Sequence, residues 1–151
     1  MQVEKPNALR FSDNVLVHIS SKDRYSTAII TLGSNIEPKE NFEKALRLLQ
    51  GLGIIVQRTE FVETAPLKFE DQPNFLNGAV LILTQKSLSE LKLELKQIEA
   101  VIGRVRTENK NEPRKIDLDV TTYNVFIIDK DIDELPFIKD FVRFLRPDIK
   151  I

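Results

Sequence analysis

At 151 residues, with 42% apolar and 30% charged side chains, the chain has the length and composition of one folded domain, not of a disordered or membrane-spanning protein. A formal net charge of −1 gives no broad attraction to nucleic acid, so any anion site must be local. Zero cysteines exclude disulfides and thiolate metal sites, and with His18 as the one histidine, catalysis by a histidine base is not expected.

Residues 1–26 show little periodicity beyond "VLVHI" and are expected to be an N-terminal extension that adds an edge strand, ahead of a single domain at 27–151. They lack the basic start, long apolar stretch and small-residue cleavage site of a secretory signal, so the cytoplasm is the expected compartment. "TAIITLGSN" at 27–35 is β-branched and apolar and predicts a buried strand that ends in a Gly-Ser-Asn turn. A helix follows in "EPKENFEKALRLLQGLG". Asn35 or Glu37 stands near its start, Phe42, Ala45, Leu46 and Leu49 share one face, and Gly51 or Gly53 ends it.

"IIVQRTEFVET" at 54–64 returns as a strand, "APLKFEDQPN" reads as a loop, and "FLNGAVLILTQ" from 75 forms the next strand, antiparallel to its predecessor. The apolar run "AVLIL" inside it falls far short of the roughly 20 residues of a spanning helix, and no membrane partner is expected. "SLSELKLELKQIEAVIG" carries the clearest helical signal. Ser87 and Glu90 make a capping box, and Leu88, Leu91, Leu95, Ile98 and Ile102 recur at three and four residues. The basic loop "RVRTENKNEP" leads to a strand "RKIDLDVTTYN", with "NVFIID" able to fold back on it as a hairpin. The order βαββαβ predicts an α+β sandwich of ferredoxin-like type, a mostly antiparallel sheet with two helices packed on one face.

In "PRKIDLDV", Asp117 and Asp119 lie two apart on a strand and so share a face, while Ile116, Leu118 and Val120 take the other. Carboxylates this close raise each other's pKa unless a cation intervenes, and a hard divalent ion such as magnesium is one solution. A solvated strand face paired to Lys or Arg is the other. Just upstream, Arg104, Arg106, Lys110, Arg114 and Lys115 stand against Glu108 and Glu112, a local positive excess suited to polyphosphate. A solvated basic loop accounts for the same residues. The chain has no P-loop pattern.

Four segments in order, "LGSN" at 32–35, "ETAPL" at 63–67, "DQPNFLNGAV" at 71–80, and "GRVR" followed by "PRKIDLDV", resemble the 6-hydroxymethyl-7,8-dihydropterin pyrophosphokinase family of the folate pathway. The resemblance covers about residues 27–128 and implies a ferredoxin-like core. It implies transfer of pyrophosphate from ATP to a pterin alcohol, with two Mg2+ ions, ATP as co-substrate and small-molecule substrates as partners, with neither nucleic acid nor membrane among them. It assigns Asp117 and Asp119 to the metals and Thr64, Ala65, Leu67, Phe75 and Asn77 to the pterin. Glu99, Arg104, Arg106, Lys110 and Arg114 fall to the ATP side, with Arg104 and Arg114 stabilising the transferring group and Asp119 the nearest proton acceptor. Arg143 and Phe144 resemble an Arg and a second stacking aromatic. Where the family carries a histidine after a proline, this chain has Phe137 after Pro136. The alternative reading is a non-catalytic relative that binds a pterin or a nucleotide.

Overall fold

A computed structural model of the chain describes residues 8–12, 15–18, 24–66, 71–103 and 115–151. The central element is a six-stranded antiparallel sheet. Its strands are β3 (Ser26–Ser34), β4 (Ile54–Arg58), β5 (Val62–Thr64), β6 (Phe75–Thr84), β7 (Asp117–Tyr123) and β8 (Phe126–Ile127). They lie in the order β4-β6-β3-β7-β8, with β5 pairing the far end of β6. With helix α1 (Pro38–Leu49) after β3 and helix α2 (Leu88–Ile102) after β6, this is the expected βαββαβ sandwich.

Both central strands are near-continuous apolar runs because both of their faces are covered. On one face Ala28, Ile30 and Leu32 of β3 and Val80 and Ile82 of β6 meet Phe42, Ala45 and Leu49 of α1 and Leu91, Leu95, Ile98 and Ile102 of α2. Burying a side chain such as Phe42, which is wholly enclosed, contributes about 1.5–3 kcal/mol. On the opposite face Ile29, Ala79, Leu81 and Leu83 pack under a third helix, α3 (Pro136–Leu145), through Ile138, Phe141, Val142 and Leu145. The expected layer of two helices is present, and α3 adds a second layer across the sheet.

The helix ends follow local chemistry. Glu37 caps α1 with a left-handed backbone (φ 42), no side-chain cap bond, and Pro38 in the first turn. The Ile36 carbonyl beside it accepts from Ser34 Oγ at 3.0 Å and from Asn41 Nδ2 at 2.7 Å. At α2 the capping box is complete: Ser87 Oγ accepts from the Glu90 N–H, and Glu90 Oε1 accepts from the Ser87 N–H. Gly103 ends α2 at φ 106, a conformation that a side chain would strain.

Three sequence expectations change in detail. The stretch 54–64 is two strands, interrupted at Thr59, whose N–H donates to the Ala79 carbonyl while its Oγ1 accepts from the Ala79 N–H. The N-terminal strands β1 (Ala8–Ser12) and β2 (Val15–His18) pair antiparallel with each other as a separate two-stranded sheet, instead of adding an edge strand to the main one. β7 carries a bulge. Ile29 faces Thr122 and Ile30 faces Val120, which leaves Thr121 extra. The two threonines suit that kink, since Thr122 Oγ1 accepts from the Ile29 N–H and Thr121 Oγ1 donates to Thr31 Oγ1 at 3.2 Å. The bulge also reverses parity along β7, so that Tyr123 packs toward α1 and α2 while Asp117 and Asp119 face the α3 side.

Candidate active site at the open end of the sheet

Helix α3 covers only part of its face of the sheet. Beyond it the strands run on through Thr31 and Gly33 of β3, Asn77 and Phe75 of β6, and Asp119 and Asp117 of β7. These residues line a cavity of about 850 Å3, a size that suits small organic ligands.

The antiparallel register sets the floor in rows. Asn77, Gly33 and Asp117 are direct neighbours across three strands, and in the next row Ala79, Thr31 and Asp119 are neighbours. Gly33 keeps the first row low: a Cβ there would come 3.3 Å from Asn77 Oδ1. Asn77 Nδ2 donates to Thr64 Oγ1 at 2.7 Å, which ties β6 to β5 and directs the amide oxygen toward Gly33. Thr64 pairs with Phe75 across the same two strands, so Thr64, Phe75 and Asn77 form one corner, joined by Ala65. The turn after β3 is braced to the segment that precedes β6: Asn35 Nδ2 donates to Gln72 Oε1 at 2.7 Å and to the Pro73 carbonyl at 3.2 Å. "LGSN" and "DQPN", far apart in sequence, are therefore in contact.

Asp117 is half-buried and Asp119 exposed, both at the cavity. Their strand pairs with β8 only at Thr122 and Tyr123, so among the described residues the outer edge of β7 from Asp117 to Val120 has no strand beside it. Helix α2 lies along that edge, with Lys92, Lys96 and Glu99 lining the cavity at helical spacing. Glu99 is almost wholly buried, and its Oε2 accepts from the Leu118 N–H at 2.9 Å. Asp129 and Lys130 follow β8, and Phe137 and Phe141, in edge-to-face contact with centroids 5.8 Å apart, bring α3 to the rim.

The structure thus brings together Asp117, Asp119, Thr64, Ala65, Phe75, Asn77 and Glu99 around one cavity. Leu67, Arg104, Arg106, Lys110 and Arg114 lie outside the described residues. Arg143 and Phe144 do not line the cavity; both are exposed on α3, whose inward stripe is Ile138, Phe141, Val142 and Leu145. Phe137 and Phe141 bring aromatic rings to the site instead. The stripe at i, i+3, i+4 and i+7 was the signal available in the sequence for placing Phe141 inward. Lys92 and Lys96 were likewise readable, as neighbours of Leu95 and Glu99 on one helix face. The contribution of Thr31 depends on strand register and could not be read from spacing.

Comparison with known proteins is consistent with this geometry. Residues 29–145 match the sequence model of the 7,8-dihydro-6-hydroxymethylpterin-pyrophosphokinase family. The "Folate synthesis bifunctional protein, mitochondrial" of Pisum sativum is 39% identical over 126 residues, which is 82% of this chain and 24% of that protein. The "2-amino-4-hydroxy-6-hydroxymethyldihydropteridine pyrophosphokinase" of Haemophilus influenzae is 36% identical over 113 residues, covering 73% of this chain and 70% of that protein. Its Bacillus subtilis namesake is 41% identical over 100 residues, covering 64% and 59% respectively. The chain spans less than a quarter of the length of the pea protein and of several other eukaryotic relatives that it matches. Among the described residues, no helix is long and apolar enough to cross a membrane.

Proposed function

The chain belongs to the 7,8-dihydro-6-hydroxymethylpterin-pyrophosphokinase family, and on that premise we propose that its sheet-end cavity transfers pyrophosphate from ATP to 6-hydroxymethyl-7,8-dihydropterin in folate synthesis, releasing AMP. One observation carries the proposal: Asn77 with its Thr64 bond and the Asp117–Asp119 pair border a single cavity, in adjacent rows of three paired strands. A heterocycle corner beside a carboxylate pair is what pyrophosphoryl transfer to a pterin alcohol requires.

The pterin is assigned to the corner of Thr64, Ala65, Phe75 and Asn77. The Asn77 amide, oriented by Thr64, offers a carbonyl acceptor to the donor edge of the heterocycle, and Phe75 supplies an aromatic face. Leu67, outside the described residues, joins this corner on sequence pattern alone. ATP takes the side bordered by α2 and the outer edge of β7. There the backbone edge at Val120 can face a base, and Lys92, Lys96 and Lys130 supply cations. Arg104, Arg106, Lys110 and Arg114 are assigned to the nucleotide by sequence pattern, with Arg104 and Arg114 on the transferring group.

The donor set fits magnesium. Among the described residues no cluster of three or more carboxylates or histidines could hold an ion by itself. A carboxylate pair suits a cation that completes its shell with water and substrate phosphates. Asp117 and Asp119 would hold it, as two ions in this proposal, and it would neutralise charge on the phosphates when bound. The reaction joins the pterin hydroxymethyl oxygen to the β-phosphorus of ATP and breaks the bridge to the α-phosphate. AMP departs, and the hydroxyl proton leaves toward Asp119, the nearest acceptor. The chain's own contribution is alignment: the sheet rows set the alcohol and the phosphates in one line.

AMP release from ATP with magnesium tests the proposal directly. Release that requires the pterin supports it. Release that is the same with and without the pterin, while the pterin still binds, replaces the transferase with a binding relative. The cytoplasm is the proposed compartment; cell fractionation that places the protein in mitochondria would overturn that part.

A further inference from the structure

We propose that Glu99 is a positioning residue that sets the Asp117–Asp119 pair through the backbone of β7, at an edge where the described residues place no neighbouring strand. The inference rests on the reading of Asp117 and Asp119 as the metal-holding pair. Leu118 is the residue between the two aspartates, and its N–H points away from β3 to the outer edge of β7. No described strand pairs that edge below Thr122. A backbone donor there would be left to water or to nothing. Glu99, one turn from the end of α2, reaches it at 2.9 Å from a position only 3% exposed.

A carboxylate buried this deeply is costly unless hydrogen-bonded. Its bond to the Leu118 amide satisfies one of its oxygens and at the same time fixes a backbone donor of β7. The chain holds the same segment at a second point. The bulge at Thr121, tied to β3 through Thr31 and Ile29, fixes the other end of the Asp117–Val120 stretch. Two clamps, one on Leu118 and one on Thr121–Thr122, thus define how the two carboxylates project. Leu118 itself packs into the α1–α2 core, so a shift of its amide would turn both neighbours together.

Glu99→Gln and Glu99→Leu test this. Glutamine keeps an oxygen acceptor for the Leu118 N–H; leucine fills similar space without one. The first readout is amide hydrogen exchange at Leu118 by NMR, which needs no substrate. Protection is expected in the wild type and in Glu99→Gln and lost in Glu99→Leu. The second is the magnesium concentration for half-maximal AMP release. It is expected to stay within about twofold in Glu99→Gln and to rise about 10- to 100-fold in Glu99→Leu, the usual effect of removing a group that supports metal ligands.

If Glu99→Gln loses magnesium response as far as Glu99→Leu while Leu118 stays protected, the charge itself acts on ligand and the positioning role is overturned. An unchanged magnesium requirement in Glu99→Leu overturns it as well. If Glu99→Leu does not fold, Glu99→Gln still decides: the two readouts must move together there, and loss of Leu118 protection without loss of magnesium response, or the reverse, contradicts the proposal. A wild type without pterin-dependent AMP release defeats the proposed function instead, and the exchange readout then reports on the clamp alone.

Discussion

Replacing Gly33 with alanine separates stability from binding. Gly33 lies between Asn77 and Asp117 on the cavity floor, and its backbone is not in the left-handed region, so alanine fits its conformation. At a compatible site Gly→Ala gains about 0.4–1 kcal/mol by restricting the unfolded chain, or roughly 1–4 °C in a domain of this size. The new Cβ would stand 3.3 Å from Asn77 Oδ1, close enough to push the amide by a few tenths of an ångström. The displaced atom is the acceptor assigned to the pterin. Losing one neutral hydrogen bond costs about 0.5–1.5 kcal/mol, which is roughly a two- to twelvefold rise in pterin Kd. Calorimetric titration with the pterin and a thermal melt read the two effects, expected with opposite signs. Asn77→Ala supplies the control: in that background Gly33→Ala should add nothing to the binding loss, because the pair acts as one unit. Unchanged pterin affinity in Gly33→Ala, or an equal loss with and without Asn77, would refute the reasoning.

Ser87→Ala removes the acceptor for the Glu90 N–H at the start of α2 and should cost about 1 kcal/mol. That is a fall of roughly 2–4 °C in Tm, with ligand binding retained, since Ser87 does not line the cavity; a melt and a pterin titration check both. At the C-terminal end Arg146 donates to both carboxylate oxygens of Asp148, at 2.8 and 2.7 Å, and holds that carboxyl below its ordinary pKa. The native value lies below the unfolded one, so this contribution is present above the unfolded pKa and is lost as pH falls through the native one. Asp148→Asn should therefore be less stable than the wild type at neutral pH, with the difference closing in acid. The gap should be small because the Asp148 side chain is 55% exposed, and urea melts across pH would show a constant gap if the ion pair had no part in it.

Elements with a strong local signal were legible in the sequence. The capping box and the leucine spacing of α2, the two apolar central strands and the same-face aspartates follow from period and end chemistry, and each lies where those signals place it. What escaped depended on distant partners. The Thr121 bulge lies where β7 pairs with β3 on one side and begins its pairing with β8 on the other, partners that its own spacing does not show. A strand running unbroken from 54 to 64 was a fair reading of "IIVQRTEFVET", yet Thr59 uses its side chain on the Ala79 backbone and divides it. Helix α3 has the most sharply divided apolar stripe and Pro136 in its first turn, but no side-chain cap at Leu135, so its start carried only part of the usual signal. The family resemblance pointed to Phe144 as a second stacking aromatic, whereas Phe144 is exposed and Phe141 faces inward. At the site itself, the Asn77–Thr64 corner and the aspartates were readable as motifs. Their adjacency through Gly33, and the commitment of Glu99 to the Leu118 N–H, required the fold.

The most direct test of the cavity as a pyrophosphoryl-transfer site compares products formed by the wild type and by the double variant Asp117→Asn, Asp119→Asn. With ATP, magnesium and 6-hydroxymethyl-7,8-dihydropterin, 31P NMR of the wild-type reaction should show a pterin diphosphate ester and AMP in equal amounts. The double variant, folded by its melt, should form neither. ADP in place of AMP, or equal AMP from the double variant, would contradict the assignment of the chemistry to this carboxylate pair.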